Sequence, residues 1–272
     1  MANGGDGTIT LLPVVGLPEI ERGADLMGLI AQCQPLRDGD IVVVTSKVVS
    51  KCEGAVVELS GVEPSAFASA WAQRWGKDAR VTEVVLDQAA RIVRQAHGVL
   101  ITETHHGFVC ANSGVDQSSS GGDDRVVVLP DDADASARAL RARARELGAD
   151  VAVIVSDTFG RPWRNGQTDV AIGIAGMSPM QSYIGEVDPH GHEFRVQELC
   201  VADELASAAE LVKGNTSRIP AAVARGRSWE RDDGVDARRD PRRRSTCSAE
   251  TVPLRRRERH GPASSIDEAG PS

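Results

Sequence analysis

The sequence has 272 residues, 41% of them hydrophobic and only 3% aromatic, with a formal net charge of −8. This length can bury a sizeable core built mainly of Val, Ala, Leu and Ile. The acidic balance argues against a nucleic-acid-binding surface. Five scattered cysteines without a C-x-x-C pair indicate reduced thiols rather than disulfides or a zinc site.

From the sequence patterns we expect neither a signal peptide nor a membrane span. The first residues lack a basic stretch followed by an apolar one, so we expect no signal peptide. No apolar run approaches the roughly 20 residues that a membrane span requires. We therefore expect a cytoplasmic protein without membrane contact.

Hydrophobic spacing predicts alternating strands and helices along the chain. Apolar runs predict strands at 8–15, 41–45, 98–102, 107–111, 125–129 and 151–155. Helical spacing predicts helices at 24–33, 64–76, 82–96, 133–147 and 202–212.

The strand at 41–45 ends in hydroxyl and ammonium groups. Ser46, Lys47, Ser50 and Lys51 follow it directly. These side chains could bind the phosphates of a nucleotide. The alternative is a helix that begins with solvated polar residues, and the pattern alone leaves both open.

A loop rich in glycine and serine runs from Asn112 to Gly122 with Asp116 at its centre. Such loops offer backbone N–H groups to phosphate, and Asp116 offers a metal ligand. The alternative is a flexible surface loop.

The most informative stretch is 151–169. Five apolar residues predict a buried strand, which ends in Ser156, Asp157 and Thr158. Gly160, Pro162 and Gly166 then predict a loop up to Asp169. Asp157 with Thr158 suits a hard divalent cation, although an N-cap aspartate is the structural alternative.

Charged and glycine-bearing segments complete the candidate site. Arg161 and Arg164 suit phosphate or carboxylate, but the sequence assigns neither a role. The loop from Lys213 to Pro220 has the polar character of a ligand contact. Dinucleotide-fingerprint, Walker A, nucleophile-elbow and H-E-x-x-H motifs are all absent.

Composition changes near the end of the chain. Residues 234–272 are poor in aliphatic residues and carry arginine triplets at 242–244 and 255–257. This composition predicts a disordered basic tail after a domain that spans 1–233.

Several motifs in order resemble the F420-0:gamma-glutamyl ligase family. They are Leu17-Pro-Glu-Ile20, Thr45-Ser-Lys-Val-Val-Ser-Lys51, Asn112-Ser-Gly-Val-Asp116, Ser156-Asp-Thr-Phe-Gly-Arg-Pro-Trp-Arg164 and Gln167-Thr-Asp-Val-Ala-Ile-Gly173. The resemblance covers about residues 9–233 and looks strongest to the ligase half of a bifunctional actinobacterial enzyme. The nitroreductase-like domain that follows in that enzyme is expected to be absent here, so we expect no FMN.

The resemblance implies an α+β fold with mixed β-sheets packed against helices. It implies a ligase that uses GTP to join L-glutamate to coenzyme F420-0 and then adds further γ-linked glutamates. Mg2+ or Mn2+ would be required, K+ would help, and the enzyme would be a homodimer. An acyl phosphate would activate the acid, because a free carboxylate is a poor acylating agent.

The resemblance also implies roles for individual residues. Asp116, Asp157 and Thr158 would bind the metals, and Asp116, Asp157 and Lys51 would be catalytic. The GTP contacts would be Leu17, Pro18, Glu19, Ile20, Ser46, Lys47, Lys51, Ser119, Lys213, Gly214, Asn215, Thr216, Ser217, Arg218 and Ile219. Ser119 stands where some relatives have Asn, and the loop at 213–218 departs from a more glycine-rich version.

Two other functions fit the same residues. A metal-dependent nucleotide phosphohydrolase could use Asp116 and Asp157 without an amine acceptor. A truncated relative could bind the deazaflavin without turnover, although such a protein would have no need of its metal ligands.

Overall fold

The computed structural model describes residues 7–117 and 124–232. Its strands are β1 (Thr10–Pro13), β2 (Ile41–Thr45), β3 (Val56–Glu58), β4 (Ala89–Ala96), β5 (Val99–Thr104), β6 (Val109–Ala111), β7 (Arg125–Val127), β8 (Ala152–Gly160), β9 (Gln167–Met177), β10 (Met180–Ser182), β11 (Glu198–Cys200), β12 (Ala221–Arg225) and β13 (Arg231–Asp232). Its α-helices are α1 (Leu26–Cys33), α2 (Ser46–Glu53), α3 (Ala66–Trp75), α4 (Ala79–Asp87), α5 (Ala133–Glu146) and α6 (Val201–Lys213).

A six-stranded mixed sheet in the order β1-β12-β2-β8-β9-β13 forms the centre. Alternate residues of β2 and β8 face opposite sides. Val42 and Val44 belong to the cluster with α1 and α5, whereas Ile41 and Val43 belong to the cluster with α6. Because both faces are covered, these strands are continuous apolar runs rather than alternating ones.

Strand direction brings several chain segments to one edge of this sheet. β2 and β8 are parallel, and β12 is antiparallel to both β1 and β2, so β1 runs in the same direction as β2. The carboxyl ends of β1, β2 and β8 therefore lie together. The segment before β12 and the turn between β8 and β9 reach the same edge, which we call the site edge.

Smaller sheets flank the central one. β4, β5 and β6 form an antiparallel sheet, and β3 pairs with β7. A separate cluster buries Leu59, Val84, Val126 and Val128 between β7 and α4. The mixed sheets and six α-helices of the described residues confirm the expected α+β class.

The predicted helix at 82–96 is wrong in its second half. α4 ends at Asp87, and residues 89–96 form β4. β4 pairs with β5 through two register irregularities, between Ala89 and Arg91 and between Ile92 and Arg94. Such bulges break the two-residue alternation, so the apolar residues recur at spacings that imitate a helix.

The loop predicted over 156–169 is wrong at both ends. β8 continues to Gly160, and β9 starts at Gln167, so the stretch is a hairpin with a short turn. The polar residues at the end of β8 pair with β9, as Thr158 does with Asp169. Only Gly160, Pro162 and Gly166 mark where the strands end.

Other predicted elements are confirmed. β5 and β6 are the antiparallel pair expected from 98–102 and 107–111, and α5 and α6 lie close to their predicted ranges. Ser119 and residues 234–272 lie outside the described residues. Within 7–117 and 124–232, every helix is too short or too polar to cross a membrane.

Candidate active site

Four of the segments singled out in the sequence meet at the site edge. Leu17–Ile20 follow β1, Ser46 begins α2 after β2, and Asp157 lies near the end of β8. The loop 214–219 leads into β12 and is held there by the Thr45 N–H, which donates to the Pro220 carbonyl at 2.9 Å. Parallel strands open a crevice at their carboxyl ends, where α/β proteins place ligands.

Ser46 connects the two central strands at this edge. Its side chain is buried, and its Oγ donates to Oδ1 of Asp157 at 2.7 Å. The neighbouring strands β2 and β8 place Thr45 beside Ser156 in register. The first turn of α2 is therefore fixed against the Asp157 carboxylate.

Asp157 has an electrostatically costly position. Its pKa is raised to about 6, chiefly by burial; the charges of Asp169 and Asp116 also raise it, and the hydrogen bond from Ser46 opposes the increase. A carboxylate disfavoured by burial and by like charges is a typical feature of functional sites.

Asp116 contacts the first turn of α2 through Lys47. Lys47 Nζ contacts its Oδ2 at 2.5 Å, and both side chains are about one-third exposed. The Asp116 backbone pairs in both directions with Val127. The Asp116 loop is thus anchored to β7 and faces the start of α2.

Lys51 lies one turn further along α2. Its Nζ contacts Oε1 of Glu19 at 2.5 Å, with Glu19 largely exposed. This ion pair connects the segment Leu17–Ile20 to α2. The two lysines of α2 and the segment after β1 therefore share one surface.

A one-residue irregularity in the β8–β9 pairing arranges the next part of the site. Val155 is opposite Gly173, whereas Ser156 is opposite Ala171, which leaves Ile172 as the extra residue. The shift places Thr158 opposite Asp169 rather than Val170. Thr158 Oγ1 donates to Oδ1 of Asp169 at 2.7 Å. Bulges next to active sites often re-aim side chains in this way.

Lys213 is not part of an exposed loop. It is the last residue of α6, its side chain is 1% exposed, and its Nζ donates to Asp169 Oδ2 at 2.8 Å. The exposed residues of the predicted nucleotide loop are Gly214 to Arg218. Lys213 therefore lies beneath the site edge, and the loop begins after it.

Comparisons with known proteins indicate the family of the chain. A family model described as "F420-0:Gamma-glutamyl ligase" matches residues 15–226. A protein of Methanopyrus kandleri named "Coenzyme F420:L-glutamate ligase" is 46% identical over 82% of this chain and 89% of its own length. Proteins of the same name from Methanothermobacter thermautotrophicus and Methanocaldococcus jannaschii are 41% and 43% identical, over 83% and 78% of this chain and 93% and 87% of their own lengths.

The chain belongs to the F420-0:gamma-glutamyl ligase family.

The resemblance found in the motifs is confirmed by this membership, and so is the predicted class of enzyme, an amide-bond-forming ligase. The matched range contains every candidate site residue described above. The roles of the individual residues stay predictions.

The donors at the site edge of this ligase family member are oxygens, which suits Mg2+ or Mn2+. Within 7–117 and 124–232, no group of three or more His, Cys, Asp or Glu residues forms a ready metal cluster. The donors that fit are the Asp116 and Asp157 carboxylates and the Thr158 hydroxyl. Thr158 gives its proton to Asp169, which leaves its oxygen lone pairs for a cation.

Sequence reasoning missed some members of the site. Glu210 Oε2 lies 3.5 Å from Lys213 Nζ, one turn earlier on α6. The i,i+3 spacing of Glu210 and Lys213 on a predicted helix was the available signal. Arg161, left without a role, donates to the Asn165 carbonyl at 2.7 Å and braces the hairpin turn.

Proposed function

We propose that this protein catalyses formation of an amide bond between coenzyme F420-0 and L-glutamate, in coenzyme F420 biosynthesis, with GTP as the energy source. The observation that carries the proposal is the name shared by relatives that are 38–46% identical over most of the chain. The use of GTP is supported by the convergence of Lys47, Lys51 and two backbone segments at one sheet edge.

Amide formation requires activation of the F420-0 carboxylate. A carboxylate oxygen attacks the γ-phosphorus of GTP, the bond to the β–γ bridging oxygen breaks, and GDP leaves. The glutamate amine then attacks the acyl carbon, loses a proton, and displaces inorganic phosphate. Positioning and charge neutralisation account for most catalysis of phosphoryl transfer.

The residues of the site edge suit these tasks. Lys47 contacts Asp116 and Lys51 contacts Glu19, each at 2.5 Å. Their ammonium groups can contact phosphate oxygens when Asp116 binds the cation and the exposed Glu19 moves away. Asp116, Asp157 and Thr158 would hold Mg2+ or Mn2+, which would neutralise phosphoryl oxygens when bound. Ser46 keeps Asp157 in place. K+ activation, a homodimer and addition of further γ-linked glutamates stay predictions from the family resemblance. A cytoplasmic location stays a prediction from the sequence patterns.

One reaction distinguishes the possible functions. The purified full-length protein would be incubated with GTP, Mg2+, F420-0 and L-glutamate, and products would be followed by mass spectrometry and nucleotide chromatography. We expect glutamylated F420 together with equal amounts of GDP and phosphate, and slow GTP cleavage when F420-0 is omitted.

Each deviation has a defined meaning. Rapid GTP hydrolysis without F420-0 would favour a phosphohydrolase. GMP and pyrophosphate would indicate adenylation-type chemistry, and the acyl-phosphate route would be wrong. Binding of F420-0 without any turnover would favour the inactive relative.

We also propose that residues 1–233 contain the whole ligase domain. The family match ends at residue 226, and the central sheet receives its last described strand at Arg231–Asp232. A variant that ends at residue 233 should keep its ligase activity within about twofold and its melting temperature within a few degrees. Loss of soluble protein on truncation would show that the tail packs against the domain.

A further inference from the structure

A buried polar network lies directly beneath the proposed cation site. Asp169 and Lys213 have side chains only 1% exposed. Lys213 Nζ donates to Asp169 Oδ2 at 2.8 Å and to Ser156 Oγ at 3.0 Å. Neither residue reaches the surface, so neither can contact a substrate without rearrangement.

The hydrogen bonds of this network have fixed directions. Ser156 Oγ accepts from Lys213 and donates to Asp169 Oδ2 at 3.0 Å. Thr158 Oγ1 donates to Asp169 Oδ1 at 2.7 Å. Because the Thr158 hydroxyl donates to Asp169, the position of Asp169 determines where the Thr158 proton points. The lone pairs of Thr158 are thereby directed away from Asp169.

The charges explain why a lysine is present. Burial raises the pKa of Glu210, and the nearby charge of Asp169 raises it further, whereas Lys213 lowers it. Without Lys213, the negative charges of Asp157, of Glu210 and of the buried Asp169 would lie close together without this compensating cation. Removing the cation partner of a buried carboxylate is strongly destabilising.

We propose that Asp169, held in place by Lys213 and Ser156, is a positioning residue that orients the Thr158 hydroxyl toward the divalent cation. This inference rests on the cation site of the proposed function. Partners that orient metal ligands typically affect metal affinity or activity by about 10- to 100-fold. Lys213 thus acts beneath the site rather than as a contact to GTP.

The test measures binding of Mn2+ alone to the full-length protein, through loss of the free-ion electron paramagnetic resonance signal. Asp169→Asn should weaken Mn2+ binding by about 10-fold or more. Asp40→Asn is the matched control, since Asp40 is a buried carboxylate paired with Arg225 before β2, at the edge opposite the site. It should lower the melting temperature without changing Mn2+ binding.

A double variant separates positioning from stability. Replacing both members of a buried ion pair is often tolerated, whereas removing one is strongly destabilising. The double variant Asp169→Asn with Lys213→Met should therefore recover most of the lost melting temperature but keep the weakened Mn2+ binding. Thr158→Val should add little to the Asp169→Asn defect, because both changes remove the same oriented oxygen.

The results that would overturn the inference are specific. Mn2+ binding within twofold of wild type in Asp169→Asn or in the double variant would show a structural role only. Additive effects of Thr158→Val and Asp169→Asn, or absence of Mn2+ binding to the wild-type protein, would also overturn it. Product formation by the same wild-type preparation reports separately on the proposed function.

Discussion

Two lysine–aspartate pairs lie near the Asp157 carboxylate, and they differ in exposure. Lys213 and Asp169 are each 1% exposed, whereas Lys47 and Asp116 are 33% and 35% exposed. The N···O distances are similar, 2.8 Å and 2.5 Å. Distance alone therefore does not distinguish the two pairs.

Burial gives the two pairs different consequences. A buried pair cannot separate without leaving a charge away from water, so Lys213 and Asp169 form fixed support. A partly exposed pair is worth little and can exchange partners with solvent or ligand. Lys47 can release Asp116 when phosphate and a cation arrive, which the proposed reaction requires.

The largest effect should come from breaking the buried pair. Lys213→Met should lower the free energy of unfolding by about 3–5 kcal/mol, because Asp169 is left as an unpaired buried charge. Lys47→Met should lower it by less than about 1 kcal/mol. Urea unfolding of both variants measures the difference, and equal losses would contradict the contrast between the pairs.

Neutralising the acids that face the site should affect catalysis more than stability. Asp157→Asn and Asp116→Asn keep the side-chain shape but remove charge that holds the cation. Turnover should fall by about 100-fold, equivalent to roughly 2.7 kcal/mol. Steady-state assays at saturating Mg2+ provide the measurement, and near-wild-type rates in both variants would place the site elsewhere.

Replacing the lysines of α2 should have a smaller effect, on the KM for GTP. Lys51→Ala and Lys47→Ala should each raise the KM for GTP by about 10-fold, or roughly 1.4 kcal/mol, because an ammonium facing phosphate is lost. Lys77→Ala, an exposed lysine after α3, is the matched control and should leave KM unchanged. Unchanged KM in the α2 variants would assign phosphate binding to other groups.

The smallest effect concerns Asp134, a partly buried acid that is hydrogen-bonded to the backbone rather than to a lysine. Asp134 accepts from the Ile174 N–H at 2.8 Å, and burial raises its pKa above the ordinary 3.8. The folded state therefore keeps this proton at pH values where the unfolded state has lost it. The contribution of Asp134 to the free energy of unfolding of the wild-type protein therefore decreases as the pH rises above about 3.8, and it stays lower at neutral pH.

Asp134→Asn removes that dependence while its amide oxygen can still accept from Ile174. The variant should melt about 2 °C higher than wild type at pH 7, and the difference should disappear below about pH 3.8. Thermal unfolding across this range measures it. A lower melting temperature at pH 7 would mean that the charge at the start of α5 stabilises the helix.

The sequence was sufficient to locate the two central strands whose ends carry candidate site residues. Continuous apolar runs located β2 and β8, and their polar ends contain Ser46 and Asp157, which the structure brings into contact. It could not show that Ser46 bonds Asp157, since 111 residues separate them. That contact depends on the parallel pairing of β2 with β8, a tertiary feature.

The errors have local physical causes. Bulged β4 imitates helical spacing, and the polar end of β8 imitates a loop because its hydroxyls are satisfied across the hairpin by Asp169. The burial of Lys213 could not be read from a helix end followed by polar residues. Only the packing of α6 against β9 brings Lys213 to Asp169.

The unpaired residue Ile172 sets the register of the β8–β9 hairpin. Residues lost or gained in the turn 161–166 leave Thr158 opposite Asp169, because the pairing behind the turn is unchanged. If Ile172 instead paired with Ser156, the register would slip by one residue, Val170 would lie opposite Thr158, and Asp169 would point to the other face of the sheet. Homologous sequences aligned here should therefore vary in length mainly at the turn.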